Sequence, residues 1–156
     1  MLIIGKKKIQ PIDLLSDKFL FGHRIELGKL IASGEDNNLI DGVMFALYEV
    51  KIRPIHYPIV YNHVKEVLEK LKVWTDKERA LEYVPTPEER EAGINVISEK
   101  VKEFATIDAI ATRMHISHND ALALPYSIVF LMLQKDLEQS KFERRLNKIY
   151  ERKYKK

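Results

Sequence analysis

The sequence of 156 residues contains no cysteine. This absence excludes disulfide bonds, thiolate zinc sites and cysteine nucleophiles. The six glycines are scattered singly, without the Walker or Gly-x-Gly-x-x-Gly spacing that holds a nucleotide phosphate. The N-terminal apolar patch is too short for a secretory signal, and the longest apolar run, Ala121–Leu133, is too short to span a membrane. We therefore expect neither a nucleotide site nor a membrane partner.

Groups that could do chemistry are present, but they form no recognisable constellation. His56 and His63 are seven residues apart and His115 and His118 are three apart, yet neither pair belongs to a His-Glu-x-x-His motif. The acidic residues of Glu88–Glu91 stand where the dipole at a helix start favours carboxylates without any chemistry. The sequence offers no nucleophile with a base and an orienting group. We therefore expect a non-enzymatic protein without a metal or other cofactor.

The composition is that of an ordinary globular domain, with 46% hydrophobic and 31% charged residues. At this length a single domain is expected. Residues 1–20 predict an extended N-terminal arm, because Leu2-Ile3-Ile4 and the following lysines favour strand or coil. Residues 21–156 predict a single mainly α domain, a compact bundle of five to six helices. Val50 and Ile52 alternate with charged residues, so their segment predicts either one short strand or an extended link.

Apolar residues at intervals of three and four predict the positions of the helices. The predicted helices cover residues 21–32, 39–48, 58–72 and about 86–102, and a last helix begins at Pro125 and runs to the charged end of the chain. Thr86-Pro87-Glu88-Glu89 is the sharpest signal, because it combines a capping box with proline at the first helical position. Ser117 and Asp120 form a second, weaker box. Residues 73–84 are expected to be a connector.

Positive charge is concentrated at the C-terminal end. The whole chain has a net charge of +3, whereas residues 134–156 hold nine Lys or Arg against four Asp or Glu. The last helix is therefore expected to be long and basic. Its cations could contact phosphates, or they could form a solvated helix end that suits the helix dipole. The candidate nucleic-acid contacts are Arg144, Arg145, Lys148, Arg152, Lys153, Lys155 and Lys156.

The last helix is also apolar on more than one side. A helix of that kind lies either at the centre of a core or in an interface. In a chain this short, we expect an oligomer or a hetero-complex. The candidate partner-binding residues are Phe130, Met132, Leu133, Leu137 and Phe142.

The segments Ile107–Ile116 and Ser117–Leu124 superficially suggest a helix-turn-helix. A recognition helix needs cations for phosphates and polar side chains for base edges. The stretch His118–Leu124 contains neither Lys nor Arg and meets Pro125 within two turns. Sequence-specific DNA binding is therefore disfavoured, and nucleic acid ranks second to protein as the expected partner.

Several short segments, taken in order, resemble a known group of proteins. Phe21–Leu30 has the form F-G-x-x-I-E-L-x-K-L, and a polar turn, a Leu-Pro step and an amphipathic helix stand near the end of the chain. The segments involved are Phe21–Leu30, Leu47-Tyr48, Arg53-Pro54, Ser117–Asp120, Leu124-Pro125 and Tyr126–Leu133. In this order the features resemble the tail assembly chaperone group among the morphogenesis proteins of tailed phages.

The resemblance implies protein–protein interaction in tailed-phage particle assembly, without enzymatic activity. Such a protein would act in the host cytoplasm during assembly and dock an amphipathic helix of other phage structural proteins against its last two helices. The first alternative is a structural virion protein, either of the neck or connector or packaged inside the particle. The alternative from another class is a small nucleic-acid-binding protein that uses its basic C-terminal tail.

Overall fold

The computed structural model describes residues 1–4, 7–33, 39–81 and 84–154, with the side chains of residues 94–100 and 102 not described. Over these residues the chain forms seven α-helices and two short strands, so the prediction of a mainly α fold is confirmed. The elements are β1 (Leu2–Ile4), β2 (Lys7–Ile9), α1 (Phe21–Ser33), α2 (Leu39–Tyr48), α3 (Tyr57–Arg79), α4 (Pro87–Glu91), α5 (Ile94–Met114), α6 (His118–Leu122) and α7 (Tyr126–Tyr154), with a 3-10 turn at Pro54–His56.

The arm starts as a hairpin and then joins the core. β1 and β2 pair antiparallel, with Leu2 opposite Ile9. Beyond the hairpin the backbone turns at Asp13, whose carbonyl accepts a hydrogen bond of 2.7 Å from the Ser16 hydroxyl. Leu14 and Phe19 follow and are fully buried. The first 20 residues therefore supply core side chains.

The segment around Val50 and Ile52 is an extended link, and the two strands that the structure describes lie in the arm. Both side chains are buried, which explains their alternation with charged residues. Glu49 has a φ of 53° and turns the chain out of α2. Its N–H donates to the Phe45 carbonyl at 2.9 Å, which completes the last turn of the helix.

Helix α3 is longer than the sequence pattern predicts. The helix continues to Arg79, so the first part of the expected connector at residues 73–84 is helical. The cause is tertiary, because Trp74 is buried and its indole N–H donates to the Leu14 carbonyl at 2.8 Å. The buried side chains of α3 recur every three or four residues: Val60, His63, Val64, Val67, Leu71 and Trp74.

The capping box at Thr86 is confirmed, but the helix that it starts is short. Thr86 Oγ1 accepts from the Glu89 N–H at 3.2 Å, and the Glu89 carboxylate accepts from the Thr86 N–H at 2.8 Å. The prediction of one helix through residue 102 is wrong, because the chain breaks at Gly93, whose φ is 84°. A left-handed residue interrupts an α-helix, and glycine adopts that conformation without steric cost. Helix α5 starts anew at Ile94.

The residues just before α1 and those just before α7 meet at one point of the core. The N–H of Phe21 donates to the Leu124 carbonyl at 2.9 Å, and the N–H of Tyr126 donates to the Phe19 carbonyl at 2.8 Å. These two bonds form an isolated antiparallel bridge just before α1 and α7. The bridge fixes the direction in which α7 leaves the body of the protein.

Candidate partner-binding surface

The start of α7 is anchored by a network of aromatic and charged side chains. The ring of Tyr126 lies 5.0 Å from the ring of Trp74, edge to face. The Tyr126 hydroxyl donates to Glu78, and Glu78 also accepts from Arg24 through Nε at 2.7 Å. Burial raises the pKa of Tyr126, and the neighbouring Glu78 raises it further. The phenol therefore stays protonated and acts as a hydrogen-bond donor that positions α7.

After this anchor, one side of α7 packs on the body and the rest of the helix is exposed. Of its 29 residues only Tyr126 and Val129, in the first turn, are buried. At about 1.5 Å per residue the helix is roughly 43 Å long. Most of α7 therefore lies on the surface of the protein. Of the two positions that the sequence allowed for this helix, it does not occupy the centre of the core.

The structure divides the five predicted partner-binding residues between two environments. The ring of Phe130 packs edge to face on Trp74 at 5.3 Å, and Met132 and Leu133 pack against the core. Leu137 is half-buried. Phe142 is 52% exposed. Only Phe142 is thus mainly free for a partner, and the other four are wholly or partly covered by this chain.

A second set of apolar side chains on α7 shares only Phe142 with the predicted partner-binding residues. We call this set the outer stripe: Ile128, Leu131, Phe142, Leu146 and Ile149. At 100° per residue these side chains fall within about 60° of one line along the helix. Leu131 is 62% exposed, and Ile128 and Ile149 are nearly half exposed. The sequence shows apolar residues at intervals of three and four along α7. It does not show which side of this helix packs against the rest of the protein.

The far half of α7 is held to α4 by Arg144. Its Nη2 donates to Glu89 at 3.0 Å and its Nη1 donates to the Val84 carbonyl at 3.2 Å. Glu89 is the residue that closes the capping box with Thr86, so one carboxylate joins the two elements. Further up the helix, Arg113 of α5 binds Asp136 at 2.7 Å.

The predicted nucleic-acid contacts also separate into groups. Arg144 is engaged with Glu89, as described above. Arg145, Lys148, Arg152 and Lys153 are exposed on the last three turns. Lys155 and Lys156 lie outside the described residues. In the part of α7 that the structure describes, four of the predicted cationic contacts are thus exposed.

The histidine pairs do not form metal sites. His63 is buried and its Nε2 is 2.7 Å from the Tyr48 hydroxyl, whereas the Nδ1 of His56 accepts from the Arg53 N–H. The Nε2 of His118 lies 3.0 Å from a carboxylate oxygen of Asp108. Among the described residues no three or more metal-ligating side chains come together.

A cavity of about 460 Å³ lies between α1, α2 and α5. Lys29 of α1 binds Glu26 at 3.2 Å and Glu103 of α5 at 2.9 Å, so the charged groups of its wall tie two helices together. The Nδ1 of His23 accepts a hydrogen bond from the Leu20 N–H at 3.2 Å, and burial lowers the pKa of this histidine. The ion pair between Lys29 and Glu103 thus links α1 to α5, whereas the His23 hydrogen bond is local to the start of α1.

The described part of the chain contains no helix that is long and apolar enough to cross a membrane. Comparison of the chain with protein-family models, with curated proteins and with solved structures found no match.

Proposed function

We propose that this chain is a non-enzymatic protein-binding protein that docks an amphipathic helix of a partner on α7. The supporting observation is the exposure of apolar side chains along a helix whose only fully buried residues lie in its first turn. Phe142, Ile149, Tyr150 and Tyr154 are 52%, 48%, 47% and 80% exposed. We call these four side chains the apolar strip, and exposed apolar side chains grouped on one helix are typical of an interaction surface.

The cations at the end of α7 favour an acidic partner. Arg145, Arg152 and Lys153 are exposed near the apolar strip, and Lys148 is exposed on another side of the same helix turns. A partner helix with apolar residues at intervals of three and four and with flanking carboxylates would match both features. The apolar side chains would provide affinity, and the charges would speed association and set orientation.

The resemblance to tail assembly chaperones suggests the class of partner. On that basis the partner is a structural protein of a tailed phage, held by this chain in the host cytoplasm until it is incorporated. In the alternative of a neck, connector or internal virion protein, the same strip contacts neighbouring subunits in the particle. Duplex DNA is the alternative partner for the four exposed cations, and such binding would weaken steeply with added salt.

Mass spectrometry of infected cells and of purified particles separates these roles. A chain present in cells but absent from particles is the result expected of a chaperone. Fixed multiple copies in each particle would instead establish a structural protein. If the chain is found in no cell that produces phage particles, the proposed role in phage morphogenesis is refuted.

Affinity purification with two variants tests the surface itself. Phe142→Asp combined with Ile149→Asp should abolish recovery of the partner, because a charge on the strip cannot be buried unpaired. Phe45→Asp is the matched control, since Phe45 is 53% exposed on α2, away from α7. Equal recovery with both variants would show that α7 is not the docking surface.

A further inference from the structure

The outer stripe of α7 has a charged interruption at its centre. Lys135 and Glu138 lie on the same side of the helix as the stripe, between Leu131 and Phe142. Both charged side chains are exposed. Along α7 the surface therefore has an apolar part at Ile128 and Leu131, a charged middle, and a second apolar part from Phe142 to Ile149. Lys153 follows this second part. A partner helix must accommodate this order.

A second copy of the same helix matches this order only when it runs in the opposite direction. In a parallel pair, each residue faces itself, so Lys135 would meet Lys135 and Lys153 would meet Lys153. In an antiparallel pair centred between residues 140 and 141, Leu131 of one copy lies against Ile149 of the other. The aliphatic stem of Lys135 then lies along Leu146, with its ammonium group in water.

The charges beside the stripe favour the same arrangement. In the antiparallel pair, Glu138 of each copy lies beside Arg145 of the other, which gives two opposite-charge contacts about the axis. Glu138 accepts from Lys141 of its own helix at 2.8 Å, and a carboxylate has room for a second cation. On the other edge of the helix, the charge of Asp136 is already met by Arg113 at 2.7 Å.

The exposed length is sufficient for a paired helix. Ile128 and Lys153 are separated by about 38 Å along the axis, or roughly seven turns. This length is comparable with the three to four heptads over which helices pair as coiled coils, with charged residues at Lys135 and Glu138 in place of apolar ones. The polar centre would fix the register, as single polar positions do in coiled coils.

We propose that the outer stripe of α7 binds a second copy of this chain, antiparallel, with Glu138 of each copy beside Arg145 of the other. The inference rests on the proposed function in one respect, since both take α7 as a docking surface. It differs in the occupant of Phe142 and Ile149, for which a second copy and a phage protein would compete, and it specifies the direction and register of that second copy.

Charge reversal and its rescue test the register. Sedimentation velocity of the full chain should give a dimer, and Glu138→Arg and Arg145→Glu should each weaken it at least about tenfold. The double variant E138R/R145E should restore dimerisation, because the opposite charges meet again. Lys148→Glu is the control, since Lys148 is exposed on a different side of the helix. A monomer at all concentrations, or a double variant no better than the single ones, would overturn the proposal.

The absence of native cysteine allows the direction to be measured directly. A spin label on Lys153→Cys should lie about 38 Å from its counterpart in an antiparallel pair and about 10 Å from it in a parallel pair. The short distance would overturn the proposal. If the chain is strictly monomeric but still recovers a phage protein, the dimer is refuted and the proposed function stands. If the chain forms the antiparallel dimer but recovers no phage protein, the proposed function is refuted and the dimer stands.

Discussion

Tyr48 and His63 share a hydrogen bond of 2.7 Å that joins the end of α2 to the second turn of α3. The Tyr48 oxygen also accepts from the N–H of Ile12 at 3.0 Å. Because the phenol accepts from the backbone, its own hydrogen is available to Nε2 of a neutral His63. One side chain thus ties the arm, α2 and α3 together.

We expect Tyr48→Phe to lower the free energy of unfolding by about 1–3 kcal/mol, because the Ile12 N–H and the His63 ring lose their partner in a half-buried site. Denaturant unfolding followed by circular dichroism measures this change. Tyr61→Phe is the control, since Tyr61 is 58% exposed. Equal stability of the two variants would contradict a structural role for the Tyr48 hydroxyl.

The same site predicts a dependence of stability on pH. Burial lowers the pKa of His63 from its ordinary value of 6.5. Below pH 6.5 the unfolded chain therefore takes up a proton that the folded chain does not, so stability is present above that pH and is lost as the pH falls. His23, whose pKa burial also lowers, adds to the loss with the same sign.

Unfolding measured from neutral pH to about pH 5 should show this loss, and His63→Gln should flatten the profile. Glutamine keeps an acceptor for Tyr48 but does not titrate. A profile that is identical in the wild type and in His63→Gln would rule out His63 as a source of the acid sensitivity.

The contact of Arg144 with Glu89 should have a larger effect on the local opening of α4 than on the global free energy of unfolding. The two side chains are 36% and 35% exposed, so we expect Arg144→Gln to cost less than about 1 kcal/mol of global stability. Amide hydrogen exchange across α4 should nevertheless become faster, because the helix loses its link to α7. Arg145→Gln is the exposed neighbour to compare. Unchanged exchange in Arg144→Gln would mean that other contacts hold α4.

Two leucines should respond in opposite ways to truncation. Leu27 of α1 is fully buried, so Leu27→Ala should destabilise the chain by about 2–5 kcal/mol. Leu131 is 62% exposed on α7, so Leu131→Ala should stay within about 0.5 kcal/mol of the wild type. Thermal and denaturant unfolding at low protein concentration measure both. A large loss in Leu131→Ala would assign the outer stripe to the fold instead of to a partner.

Local signals in the sequence were sufficient for several elements. The capping box at Thr86 depends on residues that are neighbours in the chain, and so does the start of α7 just after Pro125. Helices α1 and α2 also follow from their apolar spacing. Such features require no knowledge of what lies opposite them.

Other elements depend on distant partners. The last turns of α3 exist because Trp74 reaches Leu14, and Arg144 is engaged because it meets Glu89. Gly93 was compatible with a continuous helix until its φ was known. For the candidate site, the apolar residues of α7 could be named from the sequence. Their division into a covered side and the outer stripe follows only from the anchoring of Tyr126.

The backbone bridge between the residues before α1 and those before α7 can form only after most of the chain has been synthesised. The backbone groups of Phe19 and Phe21 emerge from the ribosome early, but their partners at Leu124 and Tyr126 emerge only when most of the chain has been synthesised. Asp17 likewise waits for Ser127, which is 110 positions away. The N-terminal arm therefore cannot form its contacts with Leu124 and Tyr126 during the first half of translation. Folding is therefore completed only late in synthesis, and a chain truncated before α7 would leave its own N-terminal segment without a docking site.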